Sequence, residues 1–170
     1  MAQNFGPDNG SLKIRTGRTG GAAKAGHDLV IEVQSWQATL DPEGQPALTL
    51  TADSRSLQVL EGNGGLKSLT ESDKADIKKT IDKEVLKGCA IEFRSSEVTS
   101  TNDGLAIKGE LSLNGKTAPA EFDLTVGDDG HVTGGAKVAQ TAFGMKPYST
   151  LFGALKVADE VDIEIDAKPQ

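Results

Sequence analysis

Hydrophobic and polar residues alternate along two neighbouring stretches of the chain, between Leu105 and Val126. Asn114 and Gly115 separate these stretches, and neither stretch has a charge on its apolar face. Because successive side chains leave a strand on opposite sides, a period of two predicts two half-buried strands. An Asn-Gly pair supplies the positive φ angles of a tight primed turn, so the strands are expected to form an antiparallel hairpin. Its apolar face must be covered by other side chains or by a guest molecule.

Six further segments have the alternating or apolar pattern of a strand, so eight strands are predicted in total. The six segments are Leu12–Ile14, Leu29–Trp36, Leu48–Ala52, Ile91–Phe93, Val132–Ala139 and Val161–Ala167. In the second segment, a bulge or bend is expected before Trp36. Strands with short connections are typical of an all-β antiparallel barrel or sandwich. A barrel is favoured because closure leaves no strand edge exposed. Residues 1–170 are predicted to form one domain.

One helix is predicted to interrupt the strands, between Thr70 and Gly88. Thr70 and Asp73 have the spacing of a capping box, and Gly88 suits a left-handed exit. The apolar positions recur every four residues, at Ile77, Ile81 and Val85. Because this stripe is narrow, the helix is expected to lie on the wall or mouth of the barrel with one edge buried. It either plugs one end of the barrel or binds a partner.

Composition favours free space inside the fold. Aromatic residues make up 4% of the 170 residues and there are 20 glycines, so little side-chain volume is available to fill an interior. The 25 acidic and 18 basic residues give a net charge of -7. This charge argues against nucleic acid or an anionic membrane surface as a partner.

The sequence also bears on the cellular compartment. Cys89 is the only cysteine, which excludes an internal disulfide and fits a reducing environment. Residues 1–10 lack the basic start and apolar stretch of a secretory signal, and no apolar run reaches the length of a membrane-spanning helix. We therefore expect a cytoplasmic protein without an integral membrane segment.

Motifs for catalysis or metal binding are scarce. The two histidines, His27 and His131, belong to no recognisable hydrolase or metal motif. His27 and the adjacent Asp28 would project to opposite faces of a strand, which makes a poor catalytic dyad. No enzyme activity, metal or cofactor is expected.

A basic segment stands out in this acidic chain. Between Leu12 and Gly26 there is no acidic residue, and the segment contains Lys13, Arg15, Arg18 and Lys24. Glycine backbone beside such side chains can hold a phosphate group. The other interpretation is that these charges are solvated on an outer strand and a turn.

An apolar segment near the C-terminus is the second unusual feature. Residues 143–155 bring together Phe143, Met145, Tyr148, Leu151, Phe152 and Leu155. A segment this apolar is either a plug of the core or the lining of a lipid entrance. Periodicity does not separate these two interpretations.

Several short motifs give the chain a resemblance to the YceI-like family of lipocalin-like polyisoprenoid-binding proteins. In chain order they lie at residues 25–28, 73–77, 91–95, 109–119, 143–145 and 157–165. The resemblance implies a lipocalin-like eight-stranded antiparallel barrel with a helix packed near one end. It also implies a long apolar channel that takes an isoprenoid or another amphiphile. Many members of this family are periplasmic, which differs from the cytoplasmic location expected here.

The first functional hypothesis is therefore a carrier or sequestering protein for an isoprenoid or fatty-acid-like lipid. The residues predicted to line the channel are Phe93, Leu105, Ile107, Leu111, Phe122, Leu124 and Ile163. The residues predicted near its mouth are Phe143, Met145, Tyr148 and Phe152. Arg18 and Lys24 are assigned to a phosphate-bearing head group.

Two other hypotheses belong to different classes. In the first, the barrel is a packed, ligand-free stress-response or protein-interaction module, whose apolar loop packs inward or against a second copy of the chain in a homodimer. In the second, the protein is an enzyme that acts on a bound lipid. The enzyme hypothesis requires His27 or His131 beside a carboxylate inside the channel.

Overall fold

The computed structural model describes residues 3–19, 28–41, 43, 47–63, 70–82, 88–145, 149–150 and 155–169. This part of the chain contains an α-helix, a short 3-10 helix, an antiparallel sheet of eleven strands and a separate sheet of three short strands. The strands are β1 Gln3–Phe5, β2 Gly10–Arg15, β3 Arg18–Thr19, β4 Asp28–Val33, β5 Trp36–Leu40, β6 Leu48–Ala52, β7 Leu57–Asn63, β8 Ile91–Ser100, β9 Gly104–Leu113, β10 Lys116–Val126, β11 Val132–Ala139, β12 Ser149–Thr150, β13 Leu155–Val157 and β14 Glu160–Ala167. The helices are α1 Glu71–Thr80 and the 3-10 helix Gln140–Phe143.

The large sheet has the strand order β1-β5-β6-β8-β9-β10-β11-β14-β2-β4-β7, and the small sheet has the order β12-β13-β3. The hairpin predicted from the alternating pattern is confirmed, because β9 and β10 pair in register from Leu113–Lys116 to Gly104–Thr125. Its turn has φ angles of 55° at Asn114 and 72° at Gly115, as the Asn-Gly pair requires.

The large sheet has eleven strands, which is more than the eight predicted. All eight predicted segments form strands, but the ribbon Leu29–Trp36 is divided between β4 and β5, and β1 and β7 are additional. The division has a physical cause: β4 pairs with β2 and β7, whereas β5 pairs with β1 and β6. The segment from Leu29 to Trp36 therefore pairs with different strands in its two halves, and the backbone must bend between them.

The bend lies at Gln34 and Ser35, opposite a second bend between β6 and β7. Backbone hydrogen bonds continue through this corner: Gln34 N–H donates to the Ser56 carbonyl at 3.0 Å, and Asp53 N–H donates to the Ser35 carbonyl at 2.9 Å. In the strand order, β5 is next to one end and β4 is next to the other. Because only two residues separate β4 from β5 in the chain, the two ends of the sheet lie close together. The sheet consequently curls around its apolar face.

The registers define two ends of the curled sheet, which we call the floor end and the mouth end. At the floor end, β9 and β11 begin, β10 and β14 end, and β1 pairs with β5. At the mouth end lie the hairpin turn at Asn114, the 3-10 helix, and the small sheet, whose strands β3 and β13 are next to β2 and β14 in the chain. Helix α1 packs against β7, which runs toward the mouth end.

Helix α1 begins with the predicted capping box. Asp73 N–H donates to Thr70 Oγ1 at 3.1 Å, and Thr70 N–H donates to Asp73 Oδ2 at 3.0 Å. Ile77 and Ile81 pack against the core as predicted, whereas Val85 lies outside the described residues. Gly88 has the left-handed φ angle, 73°, that suits its predicted role.

Candidate functional site

The curled sheet encloses a cavity of about 500 Å³. This volume is within the range of about 300–1,000 Å³ that is typical of ligand sites. Lining residues come from both ends of the sheet, from Phe5 at the floor end to Ile77 of α1 at the mouth end. The cavity therefore extends along the length of the sheet interior.

The lining is almost entirely apolar, because the inward-facing positions of the alternating strands supply it. Four of the described lining residues have polar side chains: Thr16, Asp76, Thr80 and Gln140. Three of these are engaged with the backbone, because Thr16 Oγ1 accepts from Leu29 N–H, Thr80 Oγ1 donates to the Asp76 carbonyl, and Gln140 Nε2 donates to the Ala158 carbonyl. The Asp76 side chain is exposed. Within the described lining, a guest molecule thus meets mainly hydrocarbon.

Small residues make room for bulky ones on the cavity walls. The rings of Phe93 and Phe122 lie 5.1 Å apart at an angle of 59°. A Cβ at Gly109 would lie 2.7 Å from Phe93 Cζ, and a Cβ at Gly134 would lie 2.6 Å from Leu124 Cδ2. Because these positions have no side chain, neighbouring apolar groups rest directly on the backbone.

The structure places six of the predicted site residues on the cavity wall and three elsewhere in the core. The six are Phe93, Leu111, Phe122, Leu124, Met145 and Ile163. Leu105, Ile107 and Phe143 pack in the core without lining the cavity. The assignment of these residues to ligand binding stays a prediction.

The remaining predicted site residues are not described in full. Tyr148, Phe152 and Lys24 lie outside the described residues, and only the backbone of Arg18 is described. In β3, Arg18 pairs with Val157, which lines the cavity. The backbone of Arg18 is thus at the mouth end, and its contact with a head group stays a prediction.

Neither Phe5 nor the contribution of α1 to the cavity lining was predicted from the sequence. Phe5 lies on a strand of three residues, which is too short to show a period of two. The helix was expected to bury one edge, and Ile77 and Ile81 lie on that edge. This apolar stripe was the signal that could have placed both residues on the cavity lining.

His131 pairs with a carboxylate outside the cavity. His131 Nε2 lies 2.5 Å from Asp166 Oδ1, and neither residue lines the cavity. The backbone N–H of His131 also donates to Asp129 Oδ1, which lowers the pKa of the Asp129 carboxyl below its ordinary value. His27 is outside the described residues, and within the described ranges no three His, Cys, Asp or Glu side chains are grouped to hold a metal ion.

Comparison with known families matches residues 31–168 to the YceI-like domain. The chain belongs to the YceI-like family. None of the helices in the described part of this YceI-like protein is long and apolar enough to cross a membrane.

Solved structures of other proteins support the same fold. BcnA of Burkholderia cenocepacia is 16% identical, with a TM-score of 0.65, and the match covers 92% of this chain and 94% of that one. A YceI protein of Campylobacter jejuni is 13% identical, with a TM-score of 0.53, and the match covers 82% of this chain and 84% of that one. The comparison with curated proteins found no match.

Proposed function

We propose that this YceI-like protein binds the apolar chain of a polyisoprenoid, or of a similar amphiphilic lipid, in its interior cavity. The single observation that carries this proposal is a cavity of about 500 Å³ with an almost wholly apolar lining. A ligand-free module with a packed interior would fill this space with its own side chains. The cavity therefore supports lipid binding over that alternative.

The proposal includes a lipocalin-like barrel of eight strands. This count treats β4 and β5 as one bent strand and β6 and β7 as another. These two bent strands and the six strands β8, β9, β10, β11, β14 and β2 then form a closed ring of antiparallel neighbours. The hydrogen bonds at the corner formed by Ser35 and Asp53 support this count. A ring leaves the cavity accessible only at its ends.

Burial of hydrocarbon is sufficient to explain useful affinity. Each buried methylene contributes about 0.8 kcal/mol, so one five-carbon prenyl unit contributes roughly 3 to 4 kcal/mol before ordering costs. Micromolar binding needs about 8 kcal/mol, which two or three units supply. Polar contacts within the cavity are not required for this affinity.

We assign a phosphate-bearing head group, if the lipid has one, to Arg18 and Lys24. The position of the Arg18 backbone beside Val157 supports this assignment, because Val157 lines the cavity at the mouth end. Diphosphate and alcohol forms of the same prenyl chain separate the contributions of head and tail. Equal affinity for the two forms would contradict the head-group assignment without affecting tail binding.

The test of the proposed function is a blocked cavity. Ala136 lines the cavity on β11, whereas its neighbour Lys137 is exposed on the opposite face. Ala136→Phe is expected to weaken binding of a prenyl alcohol at least about tenfold, a change of about 1.4 kcal/mol. Lys137→Phe adds the same ring outside the cavity and should bind like the wild type.

Native mass spectrometry with added prenyl alcohol, and of protein purified from its own host, gives the readout. A wild-type protein that stays empty under both conditions would contradict the proposed function. Equal binding by Ala136→Phe and Lys137→Phe would show that the ligand lies elsewhere.

A further inference from the structure

We propose that Phe5 forms the floor of the cavity and sets the length of the hydrocarbon chain that the protein accepts. This inference rests on the proposed function and adds a specificity-determining residue to it. The chain enters at the mouth end, and its far end is expected to stop against the Phe5 ring.

Most lining residues toward the floor end are buried and most toward the mouth end are not, although Gln140 and Met145 near the mouth are buried and Ile165 near the floor is half-buried. Phe5 lines the cavity and is only 5% exposed. Five other lining residues toward the floor end are also buried: Leu12, Leu40, Leu48, Leu124 and Val132. By contrast, the lining residues Ile77, Ile81, Ile91 and Leu113 toward the mouth end are half-buried. The closed end of the cavity is therefore the end that contains Phe5.

Phe5 reaches the cavity from an edge strand. Strand β1 has one neighbour in the sheet, β5, and Phe5 pairs with Ala38, which also lines the cavity. The partner position has only a methyl group, so the Phe5 ring supplies most of the bulk at this point. Removal of the ring would deepen the cavity while the walls, made by other strands, stay in place.

The segment that carries Phe5 is held firmly. Gly6 N–H donates to Asn9 Oδ1 at 2.8 Å, and Asn9 Nδ2 donates to the Asn4 carbonyl at 3.0 Å. The Asn9 carbonyl accepts from Lys168 N–H at 2.9 Å, and Asn4 Oδ1 accepts from Thr39 Oγ1 at 3.0 Å. These contacts fix the floor to both β5 and the end of β14. A fixed floor gives a definite chain length rather than a gradual preference.

A definite floor has a measurable consequence for affinity. Each additional methylene that enters the cavity strengthens binding by about fourfold. Once the chain end meets Phe5, further methylenes remain at the mouth and add little. Affinity should therefore rise with chain length and then level off, and the chain length at this break reports the depth of the cavity.

The experiment measures the break for wild type and for Phe5→Ala, Phe5→Leu and Phe5→Trp. Linear prenyl alcohols of two to five isoprene units displace aminoanthracene, whose fluorescence reports occupancy of an apolar site. Phe5→Ala and Phe5→Leu should move the break to longer chains, with a gain of about tenfold for the alcohol one unit beyond the wild-type break. Phe5→Trp should move it to shorter chains.

Val59→Ala is the control for loss of packing. Val59 is 2% exposed and does not line the cavity, so this variant removes core contacts and should keep the wild-type break. Circular dichroism checks folding, and Phe5→Leu and Phe5→Trp retain a large apolar side chain if Phe5→Ala does not fold. Wild type that binds no alcohol would overturn the proposed function and this inference together. Wild type that binds, with a break that is unchanged in the folded Phe5 variants, would overturn this inference alone.

Discussion

The two ends of the curled sheet are built differently. At the floor end, Leu12, Val132 and Ala167 are all buried, and Gly10 packs against Ala167 without room for a side chain. At the mouth end, α1 has no buried residue, and its lining residues Asp76, Ile77 and Thr80 are half-buried or exposed. The buried residues near the mouth, such as Phe143, lie in the 3-10 helix instead. This difference indicates that the floor end provides most of the stability, whereas the mouth end provides access to the cavity.

The largest expected effect compares the same truncation in the two regions. Ile107, in the floor half of β9, is 1% exposed, whereas Ile77 of α1 is half-buried. Ile107→Ala should lower the free energy of unfolding by roughly 2–5 kcal/mol because it leaves a cavity in a packed core. Ile77→Ala should cost less than about 1 kcal/mol, because less area is lost and alanine favours a helix.

Urea unfolding of both variants measures this difference. Equal losses of free energy for Ile107→Ala and Ile77→Ala would show that the mouth end is as important for stability as the floor end.

Local pattern predicts some of this fold, and long-range packing decides the rest. The β9–β10 hairpin and the start of α1 follow from neighbouring residues: Asn114 and Gly115 specify the turn, and Thr70 caps the helix. The sequence predicts a bulge or bend before Trp36, but the division into β4 and β5 depends on which strands lie on either side of the bend, which alternation does not show. This dependence explains one of the three additional strands; the other two are β1 and β7, which the alternating pattern did not identify.

The cavity was predictable only in part for the same reason. Alternation identifies Leu111, Phe122 and Leu124 as inward-facing, and all three line the cavity. Ile107 has the same pattern but packs in the core away from the cavity. Whether an inward-facing residue touches the cavity depends on its neighbours across the sheet. The alternating pattern of one strand gives no information about those neighbours.

Two glycines offer the next comparison between the ends. A Cβ at Gly10 would lie 2.9 Å from the Ala167 Cα, whereas a Cβ at Gly17, toward the mouth end, would lie 3.5 Å from the Ala158 Cβ. Gly10→Ala should destabilise the protein by about 1–3 kcal/mol because the backbone must move. Gly17→Ala should be neutral, or should stabilise by up to about 1 kcal/mol by restricting the unfolded chain. Thermal unfolding distinguishes the two, and a tolerant Gly10 would contradict the tight packing of the floor end.

Charge at the mouth should affect binding more than stability. Ile77→Glu places a carboxylate on the cavity lining and should weaken prenyl-alcohol binding about tenfold, or about 1.4 kcal/mol. Lys79→Glu is the matched control, because Lys79 is exposed and does not line the cavity. Aminoanthracene displacement compares the two variants. Similar affinities would exclude the Ile77 side of α1 from the path of the ligand.

Loss of the helix cap should have a smaller, local effect. Thr70→Ala removes the hydroxyl that accepts from Asp73 N–H and should destabilise α1 by about 1 kcal/mol. Hydrogen exchange should become faster in α1 while β9 and β10 keep their protection, because no residue of α1 is buried in the core. Equally faster exchange in β9 would mean that α1 is part of the cooperative core.

The smallest effect concerns a turn at the floor end. Because the pKa of Asp129 is lowered by the His131 N–H, this carboxylate contributes stability above its unfolded pKa and loses it as pH falls through the lower folded pKa. Asp129→Asn lacks this ionisation, so its stability relative to wild type should rise as pH falls below about 4. Urea unfolding at several pH values tests this prediction. If the difference in unfolding free energy between Asp129→Asn and wild type does not change with pH, the ionisation of Asp129 is not its cause.

A crystal structure of the protein with a bound prenyl alcohol tests the central claim most directly. We expect continuous density for the chain inside the curled sheet, in contact with Phe93 and Phe122 and directed toward Phe5. An interior closed by rearranged side chains, or a ligand bound only on the outer surface, would contradict the account.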